Sequence, residues 1–313
     1  MDTHTHIAAV IVTYEPDITV LLDNVRQIAP QVARTFIVDN SVSIPAQAAV
    51  RALRGDGIEV DTVGGNVGIA EALNRGIHAA EAWGADHVLL LDQDSQAEDY
   101  MLAHLLHDLQ TAQKRAKRIA AIGPTHLDAR TGAPAPFVRF GFPLNRKQWP
   151  TPGTTVSCDF LITSGTLMPL DAYRQVGPFD QALFIDNVDM EWSHRAVAAG
   201  FGLLGSADAK MQHRLGDRLA RRPGGYAAIH APVRLYYMMR NRVHLYFRAT
   251  TPGLWIAQDI PRLALKFVGF SLFVQPRVAN ARAMLGGIVD GIRGRLGVRS
   301  GSELREGSGD NLA

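Results

Sequence analysis

Asp86-His87-Val88-Leu89-Leu90-Leu91-Asp92-Gln93-Asp94-Ser95 joins an apolar run to a closely spaced acidic pair. Four apolar residues in a row, Val88 to Leu91, read as a short strand buried on both faces, as in a parallel sheet. The run stops on two carboxylates separated by one residue. If the backbone stays extended there, Asp92 and Asp94 point the same way, because side chains alternate along a strand. Two carboxylates aimed at one point repel unless a cation sits between them. A hard divalent ion that keeps open positions for phosphate oxygens is the economical occupant. The competing reading is a loop that opens on Asp-Gln-Asp-Ser, since acidic residues are common at turns and helix N-caps.

Outward from this strand, the same grammar repeats. Ile7–Val12 predicts a first buried strand ending in Thr13-Tyr14-Glu15-Pro16, followed by a helix from about Ile18 to Ile28 that Pro30 stops. Thr35–Val38 predicts a second strand ending at Asp39-Asn40-Ser41, and Ile58–Val63 alternates as a third. Gly64-Gly65-Asn66-Val67-Gly68 then opens a helix from about Ile69 to Trp83. A helix from about Tyr100 to Lys117 leads to a fifth strand, Ile119–Ile122. Strands alternating with helices predict a doubly wound, mostly parallel α/β sheet. Ligands of such sheets lie outside the carboxyl ends of the strands, where Tyr14, Asp39 and Asp92 stand. Residues 125–152, rich in Pro and Gly, predict a crossing loop, and Phe160–Pro169 predicts a further strand around Thr163-Ser164-Gly165. A second acidic group, Asp186-Asn187-Val188-Asp189-Met190-Glu191-Trp192, runs into a helix ending at Gly200. Read alone, it is either a base near the strand ends or an acidic first turn complementing the helix dipole.

The 313 residues are 47% hydrophobic and 20% charged, an ordinary globular composition. The single cysteine, Cys158, excludes an internal disulfide framework and fits a reducing compartment. Met1 to His6 is too polar for a signal peptide. The net charge of +2 hides an asymmetry: residues 1–209 hold 15 Lys/Arg against 24 Asp/Glu, whereas 210–299 hold 16 against 3. Within the basic part, 233–246 and 254–274 are apolar and aromatic. They carry Arg234, Arg240, Arg242, Arg248, Arg262 and Lys266. Asp259, Pro261, Arg262 and Lys266 argue against a membrane span, leaving an amphipathic helix in a bilayer interface or one packed on the protein's own core. The sequence is expected to divide into an α/β domain over 1–227, a basic helical segment over 228–298 and a flexible Gly/Ser-rich tail over 299–313.

Several chemistries are disfavoured. Gly65-x-x-Gly68 lacks the further glycine that a dinucleotide fingerprint needs, and it does not follow the first strand. No Gly-Lys-Ser/Thr phosphate loop and no Gly-x-Ser-x-Gly elbow occurs. A nucleotidyltransferase would need a glycine-rich basic loop after the first strand, where Thr13-Tyr14-Glu15-Pro16 stands. A nucleic-acid binder would leave the basic aromatics outside apolar helical runs, and no stacking-module motif is present.

Val10-Ile11-Val12-Thr13-Tyr14, Val38-Asp39-Asn40-Ser41, Gly65-Asn66-Val67-Gly68-x-x-x-x-Leu73-Asn74, Leu91-Asp92-Gln93-Asp94-Ser95 and Val188–Ala196 together resemble the family 2 inverting glycosyltransferases of the GT-A fold. Phe184–Trp192, His213-Arg214-Leu215-Gly216-Asp217 and Tyr236-Tyr237-x-x-Arg240-Asn241 further resemble bacterial rhamnosyltransferases of cell-surface polysaccharide assembly. The resemblance implies that Thr13, Tyr14 and Glu15 flank a nucleotide base whose N3–H bonds Asp39. It also implies that Asn66, Gly68, Asn74, Asp92 and Gln93 line the nucleotide sugar. Asp94 and Asp92, with His213, would ligate Mg²⁺ or Mn²⁺, and Asp189 would be the catalytic base. Asp186 is its possible substitute, because Val188-Asp189 stands where the family has Glu-Asp, and Glu191 is the acidic residue two further on. Ser164, Gly165, Trp192 and Arg240 would form the acceptor side. The implied reaction moves L-rhamnose from dTDP-L-rhamnose to a lipid-linked saccharide, with a UDP-sugar donor as the alternative. The implied place is the cytoplasmic face of the inner membrane, with peripheral membrane contact and no nucleic-acid partner.

Overall fold

The computed structural model describes residues 6–115, 117–129, 131–213, 219–222, 225–228 and 230–299, with the side chains of 213–228 outside the description. The first half alternates β1 (Ile7–Thr13), α1 (Ile18–Ile28), β2 (Arg34–Asp39), α2 (Ile44–Arg51), β3 (Ile58–Thr62), α3 (Ile69–Trp83) and β4 (His87–Asp92). There follow β5 (Gln96–Ala97), α4 (Met101–Lys114), β6 (Ile119–Asp128), β7 (Phe137–Arg139), β8 (Arg146–Gln148), β9 (Thr155–Cys158), β10 (Thr166–Pro169), α5 (Leu170–Val176), α6 (Val188–Ala198) and β11 (Gly202–His213). Three helices close the described chain: α7 (Pro232–Leu245), α8 (Gly253–Phe273) and α9 (Arg277–Ile292).

The sheet runs in the order β3-β2-β1-β4-β10-β6-β11-β5, with β9 also on β11. β3, β2, β1 and β4 are parallel, in register Val12↔Val38 and Val12↔Asp92, so Thr13, Asp39 and Asp92 finish level on one edge. β10 enters antiparallel between β4 and β6, and β11 runs parallel to β6. The strand expected over Phe160–Pro169 is confined to its second half, Thr166–Pro169, and Thr163–Gly165 form the turn before it. The crossing region is also more ordered than expected, because β7 and β8 pair as a hairpin within it.

Alternation explains why β1 is buried along its whole length. Ala8, Val10 and Val12 face one core with α3, α5 and α6, while Ile7, Ala9 and Ile11 face another with α1, α2 and α4. Gly76 lets α3 lie directly on β1, since a Cβ there would meet Val10 Cγ1 at 2.3 Å. The C-terminal helices are packed on this body rather than trailing from it. Asn241 Nδ2 donates to the carbonyls of Leu183, Ile185 and Asp186 at 2.7–2.9 Å, and the Phe184 ring packs, tilted, against that of Tyr237 with centroids 5.1 Å apart. No helix among the described residues is long and apolar enough to cross a membrane.

Candidate active site

The edge formed by β1, β2 and β4 is tied together by side chains that bond across strands. Asp39, at 0% exposure, accepts through Oδ1 from Thr13 Oγ1 at 2.9 Å and Ser41 Oγ at 2.6 Å. Its other oxygen, Oδ2, is buried without a partner among the described residues. Gln93 bridges strand ends by accepting from the Tyr14 amide at 2.8 Å. Tyr14 itself is half-buried; desolvation first, then the Glu15 charge, raises its phenol above the usual value although Asn66 bonds to it. Glu15, expected beside the base, instead caps α2 by accepting from the amides of Val42 and Ser43 at 2.8 Å and from Ser43 Oγ.

β4 ends at Asp92, and the chain turns at Gln93-Asp94 instead of staying extended. The turn is closed by the Ser95 amide on the Asp92 carbonyl at 3.3 Å and by the Asp92 amide on Ser95 Oγ at 3.2 Å. Strand alternation therefore does not set the relative directions of Asp92 and Asp94. Ser95 Oγ lies 2.6 Å from Ser164 Oγ in the interior, so Ser164 anchors this turn rather than facing solvent. Gly165 has φ +79, and a Cβ there would meet Pro124 Cγ at 2.6 Å, so this turn packs tightly against β6.

The second acidic group reaches the same cleft. Three residues before α6 hold left-handed backbone, Phe184 (φ 64), Asp186 (φ 63) and Asn187 (φ 63), a concentration typical of sites where geometry is imposed by the surroundings. Phe184 also meets the loop that opens α3: its carbonyl accepts from the Ile69 amide at 2.8 Å, and a Cβ on Gly68 would lie 2.6 Å from that oxygen. Gly68 thus allows a close approach to Phe184, at a φ of +88 that favours glycine. Asn66 Oδ1 holds the loop by accepting from the Gly68 amide at 2.9 Å.

Asp189 stands in the first turn of α6 and accepts from the Met190 amide at 2.8 Å. Desolvation first, then the charges of Asp186 and Asp92, push its carboxyl up to about 6. Asp186 is also raised, by burial, against the pull of Arg234 at 3.4 Å. Asp189 therefore lies within electrostatic range of both Asp186 and Asp92.

Other expected site residues serve the fold. Asn74 donates to the Phe179 carbonyl at 2.9 Å and accepts from the Phe179 amide and Tyr173 hydroxyl. Glu191, 2% exposed, is paired with Arg195 at 2.8 Å. Trp192 is buried on Phe179 and donates to the Gly177 carbonyl at 2.9 Å, so it offers no sugar platform. Arg240 is buried and donates to the carbonyls of Gly297 and Leu183, with its guanidinium 4.7 Å over Tyr237. The side chain of His213 lies outside the described residues. Among those residues no group of three or more His, Cys, Asp or Glu could hold a metal ion. Asp92 and Asp94 at the strand end offer carboxylate oxygens only, a chemistry that would suit Mg²⁺ or Mn²⁺ rather than a softer ion. Residues that sequence reasoning missed are Ser95, which closes the turn, and the cations Arg234 and Lys266 that face Asp186. Their signal was present as charge inside an otherwise apolar helical run.

Known proteins share both this sequence pattern and this architecture. Residues 8–161 match the Glycosyl transferase family 2 profile. The dTDP-rhamnosyl transferase RfbF of Shigella flexneri is 27% identical over 296 residues, covering 94% of this chain and 98% of that protein. Among solved structures, S. aureus TarS residues 1–349 in complex with UDP-GlcNAc superimposes with a TM-score of 0.57 at 15% identity, covering 92% of this chain and 81% of that one. GalNAc-T7 with UDP, GalNAc and Mn²⁺ gives 0.56 at 14% identity, covering 94% of this chain, which spans 57% of the length of that protein. These two likenesses concern the fold. The chain carries a family 2 glycosyltransferase domain of GT-A architecture and is a glycosyltransferase.

Proposed function

We propose that the enzyme inverts the anomeric centre of L-rhamnose while moving it from dTDP-L-rhamnose to a lipid-linked saccharide in the assembly of a bacterial cell-surface polysaccharide such as O-antigen or capsule. The observation that carries the mechanism is Asp189, its carboxyl lifted to about 6 by burial and by the charges of Asp186 and Asp92. A carboxylate so placed is ionised at neutral pH yet basic enough to take a proton from an attacking hydroxyl. Asp189 would accept that proton as the acceptor oxygen closes on the anomeric carbon. Asp92 and Asp94 would hold the divalent cation, which when bound neutralises the departing diphosphate. Asp39 would bind the base N3–H through its unpartnered Oδ2. Thymine and uracil share that N–H, so the same oxygen also suits a UDP-sugar donor, and the rhamnosyl assignment leans on the relative's name. Donor hydrolysis across dTDP-rhamnose, UDP-glucose, UDP-GlcNAc and UDP-galactofuranose, with and without Mn²⁺, is the test. Turnover is expected with dTDP-rhamnose and Mn²⁺, and preference for any UDP-sugar would replace the donor.

Peripheral attachment to the cytoplasmic face of the inner membrane is part of this reading. α8 leaves Leu265, Leu272 and Phe273 exposed, and the loop between β7 and β8 leaves Phe142 and Leu144 exposed. Gln258 donates to the carbonyls of Gly141 and Pro143, holding that loop against α8, with Arg139 and Arg146 beside it. Apolar side chains bordered by arginines suit the interface of an anionic bilayer. Co-sedimentation with vesicles containing phosphatidylglycerol is expected, and Leu265→Glu with Phe273→Glu should reduce the bound fraction severalfold. Equal sedimentation of the double variant would remove the membrane from the proposal.

A further inference from the structure

The antiparallel hairpin of β7 and β8 sets Arg139 directly opposite Arg146. Residues facing each other across two strands have Cβ atoms about 5 Å apart, and like charges so placed repel. By strand alternation Gln148 shares their face, whereas Lys147, opposite Val138, points the other way. Both arginines and Gln148 line one cavity of about 530 Å³, bounded also by Phe140 and by Leu254 at the start of α8. Little nearby offsets the repulsion. Asp159 approaches Arg139 only to 3.7 Å, and it also accepts from the Phe140 amide. The exposed Arg146 side chain lies over Gly141, where a Cβ would meet its Cγ at 3.2 Å. It has no hydrogen-bond or ion-pair partner among the described residues. Two facing guanidiniums with one distant carboxylate suit an oxyanion between them, since each offers a planar fork of donors.

The loop that joins the two strands indicates which oxyanion. At its tip Phe142 is 83% and Leu144 73% exposed. Gln258 of α8 donates to the carbonyls of Gly141 and Pro143, which fixes the tip against the helix. Phe142 follows Arg139 by three residues, a reach of about 10 Å at most along extended chain. Apolar side chains in a bilayer interface sit about 5–10 Å into the boundary of headgroups and acyl chains. With the tip at that depth, the two arginines stand level with the lipid phosphates. A soluble anion would account for the arginines but not for the bare Phe142 and Leu144 beside them.

We propose that the cavity between Arg139 and Arg146 binds the phosphate of an anionic membrane phospholipid while Phe142 and Leu144 enter the acyl region. The choice of a lipid rests on the peripheral-membrane reading above. The cavity is separate from the cleft, for none of Asp39, Asp92, Asp94 and Asp189 lines it.

The test is co-sedimentation of the full chain with phosphatidylcholine vesicles, with and without phosphatidylglycerol. Arg146→Gln should weaken binding to the mixed vesicles about tenfold or more, the scale of a charge-assisted contact. Lys147→Gln, on the other face of the same strand, should cost less than about fivefold, the share of one basic residue near an anionic surface. Arg139→Gln reads the same cavity independently, should Arg146→Gln melt below wild type, and should show the larger loss as well. Equal losses in the Arg146 and Lys147 variants would mean diffuse attraction and overturn the cavity, with membrane attachment left standing. A wild type that sediments with neither vesicle removes membrane attachment and this occupant together. Titration with inorganic phosphate separates the remaining source: Arg146-dependent binding of free phosphate without vesicle binding would overturn the lipid as occupant.

Discussion

Asp189→Asn is expected to lower kcat/KM for transfer by about a hundredfold to ten-thousandfold, the range that a positioned general base contributes, while the melting temperature stays level or rises. The two outcomes share one cause. Burial first, then the charges of Asp186 and Asp92, lift the Asp189 carboxyl from its ordinary 3.8 to about 6. A carboxyl whose pKa is higher in the folded than in the unfolded chain disfavours folding once ionised. Its contribution to stability is fully present below pH 3.8 and is lost as pH climbs through about 6. At pH 7 the ionised group therefore costs the fold up to roughly 3 kcal/mol, because a tenfold change in proton affinity is worth about 1.4 kcal/mol. Asparagine keeps the shape and the acceptor for the Met190 amide but removes the charge, so that cost disappears. The pH profile of wild-type kcat/KM should fall tenfold for each pH step of one below about 6, as the base becomes protonated. Transfer within tenfold of wild type in the folded variant would remove Asp189 as the base. A loss of activity that tracks a loss of folded protein would make its role structural.

The α/β half of the fold was legible because its strands are buried on both faces and read as unbroken apolar runs, Val10–Val12 and Val88–Leu91 among them. Strand direction was not, because periodicity is the same whichever way a strand runs; β10 entering antiparallel leaves no mark on Thr166–Pro169. Motif residues showed a similar divide. The pattern around Gly68, Asn74 and Ser164 marks positions that matter, but their partners lie far along the chain: Phe184, Phe179 and Ser95. Nothing local in the sequence distinguishes an asparagine that meets a ligand from one that pins a loop 105 residues away. The same holds for the pair 92 and 94, where alternation breaks down because the chain turns at Gln93-Asp94 and Ser95 closes that turn.

Glu191 shows how far that distinction reaches, and its expected behaviour is the opposite of Asp189's. Glu191→Ala should destabilise the protein by about 3 kcal/mol or more, the cost of breaking a buried ion pair from one side. The Glu191 side chain is 2% exposed and holds Arg195 through three contacts of 2.8–3.0 Å. Arg195 in turn donates to the carbonyls of Val176 and Pro178 at 2.7 Å, and Trp192 donates to Gly177 between them. One buried carboxylate therefore clamps α6 to the loop after α5. Removing it leaves a guanidinium that is mostly enclosed and half satisfied. The melting temperature should fall by several degrees, while kcat per folded molecule, measured well below the transition, should stay within a few-fold of wild type. Arg195→Met added to Glu191→Ala should recover part of the loss, because the stranded charge goes with it. If Glu191→Ala instead melts like wild type and fails to turn over, the carboxylate acts on substrate and the clamp is incidental.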